Sequence, residues 1–443
     1  MRINRRILTV TSLLAALALF GGLAAPDGGA PGLLRGLVAI PAAHADGESE
    51  PYAAYREALD VLKNEYYGAK IDAPRTRELT YAAIRGMLFS LNDPFTSFLD
   101  PDDWEQMRQT TRGDFEGIGA VLEQMGQDVK VVRPIEDSPA WKAGIKSNDV
   151  IISVGTHHPK TGKLLKTTAT LGKDINEVVK LIKGPKGTKV TVTVMRKGQS
   201  APISFELTRA HIEPPTVRYW MEDDKHKIGH IMLTDFYEKS DAHLQKAWDA
   251  LEKQGMRALV FDLRDNPGGL LDIAVDVGSR FVDRGPVVVI QEKNGQRQPL
   301  RVRRAQPRRR IPLVVLINGN SASASEIVAG AVKDNGTGIL VGEHTFGKGL
   351  VQTIFTLSDG SALRLTTAKY LTPNLHDINN KYDDEHRMQF GTGGIKPDIE
   401  VKLPEDFDDQ DWSDENRRKD VQLQKALEVL RSRLAQAGDR AAR

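Results

Sequence analysis

From Ile311 to Ile317 the chain reads IPLVVLI, a run with no polar side chain. A short unbroken apolar run bounded by polar residues reads as a strand buried in a core. A helix-like run from Glu326 to Lys333 follows it. The same alternation starts earlier, from Lys227. Ile228 to Leu233, Ala258 to Leu263 and Val287 to Gln291 have strand character, and Asp241 to Gln254 and Leu271 to Val282 have helical character. Strands and helices in alternation predict an α/β core.

Between the buried strand and its helix lies SASAS, with Ser321, Ser323 and Ser325 alternating with alanines. The first N–H groups of a helix have no partner within it and carry its positive dipole end. A serine there suits a nucleophile whose product is an oxyanion. Ser323-Ala-Ser-Glu326 also fits a capping box, in which the serine caps and the glutamate reaches back. Downstream, Lys348 stands between Gly347 and Gly349, and Gln352 follows four positions on. Upstream, DLRDNPGG (Asp262 to Gly269) ends another buried strand and opens another helix. Its glycines allow close backbone approach. Two strand-to-helix turns side by side can aim N–H groups at one point, and Gly268 and Ala324 are the expected oxyanion donors.

Before the α/β region the texture differs. From Pro51 to about Arg112 apolar residues recur at three- and four-residue steps, and Asn92-Asp93-Pro94 ends a helix running from Arg75 to Leu91. Asp102 and Asp103 open a further short helix after Pro101. From Gly113 short strands and turns take over: Val129 to Pro134, Asp149 to Val154, Lys189 to Arg196 and Ile203 to Arg209, with helices at Ser138 to Gly144 and Glu177 to Lys183. This order resembles a PDZ domain of the bacterial protease type. Gly117-Ile118-Gly119-Ala120 is similar to the loop that binds a peptide's terminal carboxylate, and the edge Ala120 to Glu123 suits an added peptide strand. Thr156 to Lys173 reads as an inserted loop. Pro214-Pro215 marks a boundary, and an amphipathic helix from Arg418 to Ala435 closes the chain.

The 443 residues allow two or three domains. Lys and Arg number 61 against 59 Asp and Glu, so nothing in the balance argues for nucleic acid. The basic stretch Arg301 to Arg310 reads as a solvated hairpin loop between strands. With no cysteine, thiolate catalysis and a lipid-modified N-terminal cysteine are excluded. Arg2, Arg5 and Arg6 precede an apolar run from Ile7 to Ala25, and Ala43-His44-Ala45 offers a cleavage site, the pattern of an export signal. Cleavage at Ala45 and retention as a membrane anchor both stay open. Both readings place Asp46 onward outside the cytoplasm.

The export signal, LNDPFTSFLDPDD (Leu91 to Asp103), the PDZ-like segment, DLRDNPGG, SASASEIVAG and FGKG together resemble the carboxyl-terminal processing proteases, or tail-specific proteases, over nearly all of Tyr52 to Leu430. The resemblance implies an α/β protease core similar to crotonase and Clp-type peptidases. It implies Ser323 as nucleophile, Lys348 as general base and Gln352 as third member of the triad. It implies a signal peptide at 1–45, a helical N-terminal region at 46–112, a PDZ domain at 113–210, a protease core at 211–404 and a helical tail at 405–443. No cofactor or metal is implied. Implied partners are protein or peptide substrates with free C-termini, further copies of the chain, and an activating adaptor, since some relatives need a partner to align the site.

The residue chemistry is consistent with those roles. Serine needs a base to become a good nucleophile. A lysine serves only when neutral, so its pKa must fall from about 10.4, which burial achieves. Glutamine carries no charge but can orient an amine. Residues four apart on a straight strand lie about 13 Å apart, so the chain must bend near Gly347 or Gly349 for Gln352 to reach Lys348. Two rival readings are a serine–histidine hydrolase using His344, and a PDZ-type scaffold with an inactive hydrolase domain.

Overall fold

The computed structural model describes residues 52–303, 310–384, 387–405, 407 and 414–441. The expected signal peptide and its Ala43-His44-Ala45 site lie outside these residues, as does part of the 301–310 basic stretch. The helix Ala53–Glu65 belongs to a compact unit ending at Asp72, and the Tyr66 N–H closes it on the Leu62 carbonyl. Ala73–Arg443 forms the second unit.

Leu313–Ile317 is buried at every residue, as are Ile228–Leu233 and Ala258–Asp262. These three lie side by side in a six-stranded sheet ordered Val217–Asp223, Ile228–Leu233, Ala258–Asp262, Leu313–Ile317, Ile339–Gly342, Ile399–Glu400. The first pair is antiparallel and the rest are parallel. Successive side chains of a strand point to opposite faces, and both faces are covered. Ile231, Phe261 and Val315 pack among Leu244, Ala274 and Val328 of the helices Ser240–Lys253, Leu271–Gly278 and Ala324–Asp334. Val260, Val314 and Leu316 meet Leu423, Leu427 and Leu430 of the last helix, Val421–Ala441. Asp420 starts that helix by accepting the Leu423 N–H at 2.9 Å.

A second sheet is built on Ala362–Leu371, which pairs with Leu350–Thr356, with Pro286–Glu292 and with Ser97–Leu99. The last pairing adds a strand to the region expected to be helical. The helices Ala73–Phe89 and Pro101–Arg112 flank a three-residue strand that belongs to the core. Tyr81 packs at a tilt against Phe98, ring centres 4.8 Å apart, and donates to Asp359 at 2.8 Å, so this segment is packed in place.

The inserted segment enters and leaves side by side, on a two-stranded ribbon in which Phe115 faces Ile212. Between these ends, six antiparallel strands and the helix Ile175–Ile182 enclose a separate core including Ile118, Val131, Ile151, Val178 and Val192. The stretch read as an inserted loop at 156–173 contains a strand, Leu164–Ala169, paired antiparallel with Val150–His157. Its side chains are mostly exposed, which removes the apolar pattern that marks a strand.

Candidate active site

The three serines have different fates. Ser321 is buried, donating to the Leu263 carbonyl at 2.8 Å and accepting the Asn318 N–H at 3.0 Å. Ser325 is buried and donates to the Asn266 carbonyl at 2.9 Å. Both tie the start of the helix Ala324–Asp334 to the loop after Asp262. Ser323, between them, is the one of the three that is not buried. Its backbone sits at φ 56°, ψ −112°. A non-glycine residue at positive φ is strained and is held there only by its surroundings. Of the three alternating serines, two are anchors and Ser323, the one the resemblance singles out, presents its hydroxyl.

The loop opposite is knotted by Asn266, which is fully buried. Its Nδ2 donates to the Leu233 carbonyl at 2.7 Å, its backbone carbonyl accepts the Ala322 N–H at 3.0 Å, and its Oδ1 accepts the Gly268 N–H at 2.9 Å. Gly268 has φ +100°, and a Cβ there would lie 2.7 Å from the Ala322 carbonyl and 2.8 Å from the Ala324 nitrogen. The two expected oxyanion donors are therefore neighbours. Ala324 makes no hydrogen bond through its N–H among the described residues, whereas Gly268 gives its own to Asn266. Below the loop, Arg264 is buried between Asp262 at 2.7 Å and Asp420 at 2.8 Å, which fastens the last helix to the strand end that carries the loop.

Glu326 joins the serine turn to the lysine turn. It does reach back to the Ser323 N–H, at 2.8 Å, as a capping box requires. The same carboxylate also accepts the Lys348 N–H at 2.9 Å, the Gly347 N–H at 2.7 Å and the Thr345 hydroxyl at 2.6 Å. Burial pushes its pKa up, and these four donors pull it back. One fully buried side chain thus sets the backbone of Lys348 against that of Ser323.

Ser323, Lys348 and Gln352 all open on one cleft of about 740 Å³, together with Gly268, Tyr370 and Arg364. The helix Pro101–Arg112 forms part of its wall through Trp104 and Met107. The bend that brings Gln352 to this cleft has two parts. Gly347 takes φ +88°, and a bulge falls between Val351 and Gln352, where Thr367 of the neighbouring strand is the extra residue. The lysine pKa is lowered, first by burial and then by the Arg364 guanidinium, against the opposing pull of Glu326 and Asp93. The three side chains share the cleft without being joined to one another. Among the described residues Nζ of Lys348 has no hydrogen-bond partner and lies 4.6 Å from the Phe95 ring centre. Nε2 of Gln352 is buried without one. The Ser323 hydroxyl interacts with that of Tyr370, which also donates to the Lys348 carbonyl. His344, the alternative base, is exposed and does not line the cleft.

Peptidase family S41 matches residues 227–401, and the PDZ domain family matches residues 130–196. The chain is 38% identical over 352 residues to the carboxy-terminal processing protease CtpA of Bacillus subtilis (strain 168), covering 79% of this chain and 68% of that protein. It is 35% identical over 360 residues to the carboxyl-terminal-processing protease of Synechocystis sp., covering 80% and 78%. The chain belongs to the carboxy-terminal processing proteases of peptidase family S41. It spans 64% of another relative, a probable CtpA-like serine protease of Staphylococcus epidermidis, to which it is 34% identical over 346 residues, 78% of this chain. Among solved structures it is similar to the photosystem II D1 C-terminal processing protease, at 34% identity with a TM-score of 0.46, covering 80% of this chain and 89% of that one.

In this S41 serine peptidase with a PDZ domain, the stretch expected to bind a carboxylate, Gly117 to Ala120, lies beside the edge of the inserted sheet. Gly117 ends the strand Phe115–Gly117, and Ala120 begins Ala120–Met125, which pairs on one side only and so is an edge. Gly119 has φ +77°, and its carbonyl accepts from Ser138 Oγ at 2.9 Å. The amides of Ile118 and Gly119 make no hydrogen bond among the described residues. Ile118 is buried, and Ala120 and Leu122 pack on the domain's own core, so a ligand would meet backbone here before apolar side chains. In the sequence Glu326 reads only as a cap, Tyr370 and Arg364 carry no mark, and Phe95 stands within LNDPFTSFLDPDD without a role of its own. The only local signal was the aromatic, β-prone FTSFL between two helices.

Proposed function

We propose that this processing protease cleaves exported proteins near free C-termini by a serine–lysine mechanism. Ser323 Oγ attacks the scissile carbonyl and passes its proton to neutral Lys348 Nζ. The tetrahedral oxyanion is received by the Ala324 N–H and by the Gly268 N–H, once the latter releases Asn266 Oδ1. Lys348 then gives the proton to the leaving amine, and water releases the acyl group by the same steps in reverse. Gln352 orients the amine of Lys348.

The observation that carries this reading is the pairing, in one cleft, of a strained serine at a helix N-terminus with a lysine whose pKa burial depresses. The exposure of His344 supports lysine as the base. Intact Ser323, Lys348 and glycine-rich turns argue against an inactive scaffold.

The separation of the three side chains fits a resting site that tail binding completes. The tail carboxylate binds the amides from Gly117 to Ala120, and its chain adds to the edge strand Ala120–Met125. The helix Pro101–Arg112 runs from the cleft wall to Gly113, beside the ribbon, and offers the route by which the PDZ domain gates Ser323. Export by the segment 1–45 and assembly into a homo-oligomer, with an adaptor as activator, complete the proposal.

Ser323→Ala and Lys348→Ala should each abolish hydrolysis of a quenched peptide while circular dichroism stays unchanged. Retained turnover in Lys348→Ala would refute the mechanism. A free-acid peptide should be cut faster than its amide, and equal rates would remove the PDZ loop from recognition. N-terminal sequencing reads the export step, and light scattering reads the assembly.

A further inference from the structure

The segment that ends in the strand Ser97–Leu99 brings a phenyl ring to the amine of Lys348. Asp93 shapes it, accepting the Phe95 N–H at 2.9 Å and the Thr96 hydroxyl at 2.6 Å. Thr96 Oγ1 in turn accepts the Thr366 N–H at 3.2 Å, fixing the segment to the strand Ala362–Leu371. That strand supplies Arg364, whose Nε donates to the Phe95 carbonyl at 3.1 Å. Arg364 is thus tethered to the Phe95 backbone and lines the same cleft as Lys348, whose Nζ lies 4.6 Å from the ring centre.

Their effects on that nitrogen are opposite. An aromatic face attracts an ammonium, and a guanidinium repels one. The other charges facing Lys348 are Glu326, from the helix Ala324–Asp334, and Asp93. Both carboxylates are engaged by donors, four on Glu326 and two of those on Asp93 described above. Arg364 has no carboxylate within salt-bridge distance among the described residues; Asp93 acts on it through space without pairing with it, and the guanidinium is partly buried.

We propose that Phe95 and Arg364 are positioning residues of the reaction: the ring holds the lysine amine when it carries a proton, and the guanidinium, which repels that cation, favours its release from the ring as the free base. This rests on the reading of Lys348 as the base. It makes the segment 93–96 part of the catalytic apparatus, although it lies more than two hundred residues before the lysine. The lowered pKa of Lys348, for which Arg364 is the second cause after burial, agrees with it.

The test is the pH profile of kcat/KM on a quenched peptide, using the full chain. Variants are Arg364→Gln, Arg364→Lys, Phe95→Leu and Lys348→Ala. Arg364→Gln should move the acid limb to higher pH and reduce kcat/KM at pH 7 roughly tenfold, with recovery in alkaline buffer. Arg364→Lys keeps the charge and should leave the limb in place. Phe95→Leu removes the seat for the cation and should move the limb to lower pH. Limbs that stay put in both Arg364→Gln and Phe95→Leu overturn the proposal, as does a change confined to KM in Arg364→Gln, which would make Arg364 a substrate contact. An active Lys348→Ala overturns the underlying mechanism instead. An inactive Lys348→Ala with unmoved limbs overturns this inference alone.

Discussion

Replacing Glu326 by glutamine tests how the serine and lysine turns are held together. The two side chains have nearly the same shape, but one terminal atom of glutamine is an NH2 that cannot accept a hydrogen bond. In the native protein Oε1 accepts from Thr345 Oγ1 and Gly347 N, and Oε2 from Ser323 N and Lys348 N. Whichever way the amide turns, two of these donors lose their acceptor. A hydrogen bond to a charged group contributes about 1.5–3 kcal/mol, so the local loss is about 3–6 kcal/mol, before donor–donor repulsion is counted. Since about 1.4 kcal/mol is a tenfold change, amide exchange at the turns should quicken by roughly a hundredfold or more. Hydrogen–deuterium exchange on peptides covering 321–327 and 345–349 reads this directly, with the strand Lys189–Met195 of the PDZ domain as an unaffected control. Turnover should fall in parallel, because Lys348 loses its register on Ser323. Unchanged exchange at both turns together with unchanged turnover would refute the argument.

Gly268→Ala would place a Cβ 2.7 Å from the Ala322 carbonyl at φ +100°. Peptide hydrolysis should fall at least about a hundredfold, and native activity in this variant would remove the turn from the oxyanion site. Gly119→Ala would set a Cβ 2.2 Å from Ser138 Cβ at φ +77°. Fluorescence anisotropy should show a free-acid peptide tail bound about tenfold or more weakly, a cost of the order of 1–3 kcal/mol for backbone strain. Activity should also rise with pH. The folded pKa of Lys348 is depressed, so the neutral base is present above that lowered value and is lost as pH falls through it. A limb at the ordinary lysine position, near about 10.4, would show that burial does not tune it.

Where a segment's pattern comes from its own burial, the sequence was enough. Ile228–Leu233 and Leu313–Ile317 are covered on both faces and read as unbroken apolar runs. Leu164–Ala169 failed for the converse reason, since an exposed edge strand needs no apolar residue. Ser97–Leu99 is three residues long, and its partner Ala362–Leu371 lies far along the chain, so no local period marks it. At the site, SASAS, FGKG and NPGG mark the turns, and only the family resemblance, not the local pattern, picks Ser323 among the three serines. Which serine faces the cleft depends on Leu263 and Asn266, carbonyls that only tertiary packing brings near. The bend at Gln352 was inferred at the glycines. Gly347 supplies part of it, and the bulge opposite Thr367 was invisible because it belongs to the pairing of two strands.

The pairing of Ser97–Leu99 with Ala362–Leu371 also has a consequence for when the enzyme comes into being. Synthesis and export both deliver a chain N-terminus first, and domains fold as units as they emerge. The PDZ domain, complete by Ile212, can close on its ribbon while the protease half is still being made. Phe95 must wait, because its cradle on Arg364 is encoded later than both Ser323 and Lys348. Contacts between segments so distant along the chain form slowly. The inserted domain is therefore encoded in full before the cleft is, and a half-made molecule has the one without the other.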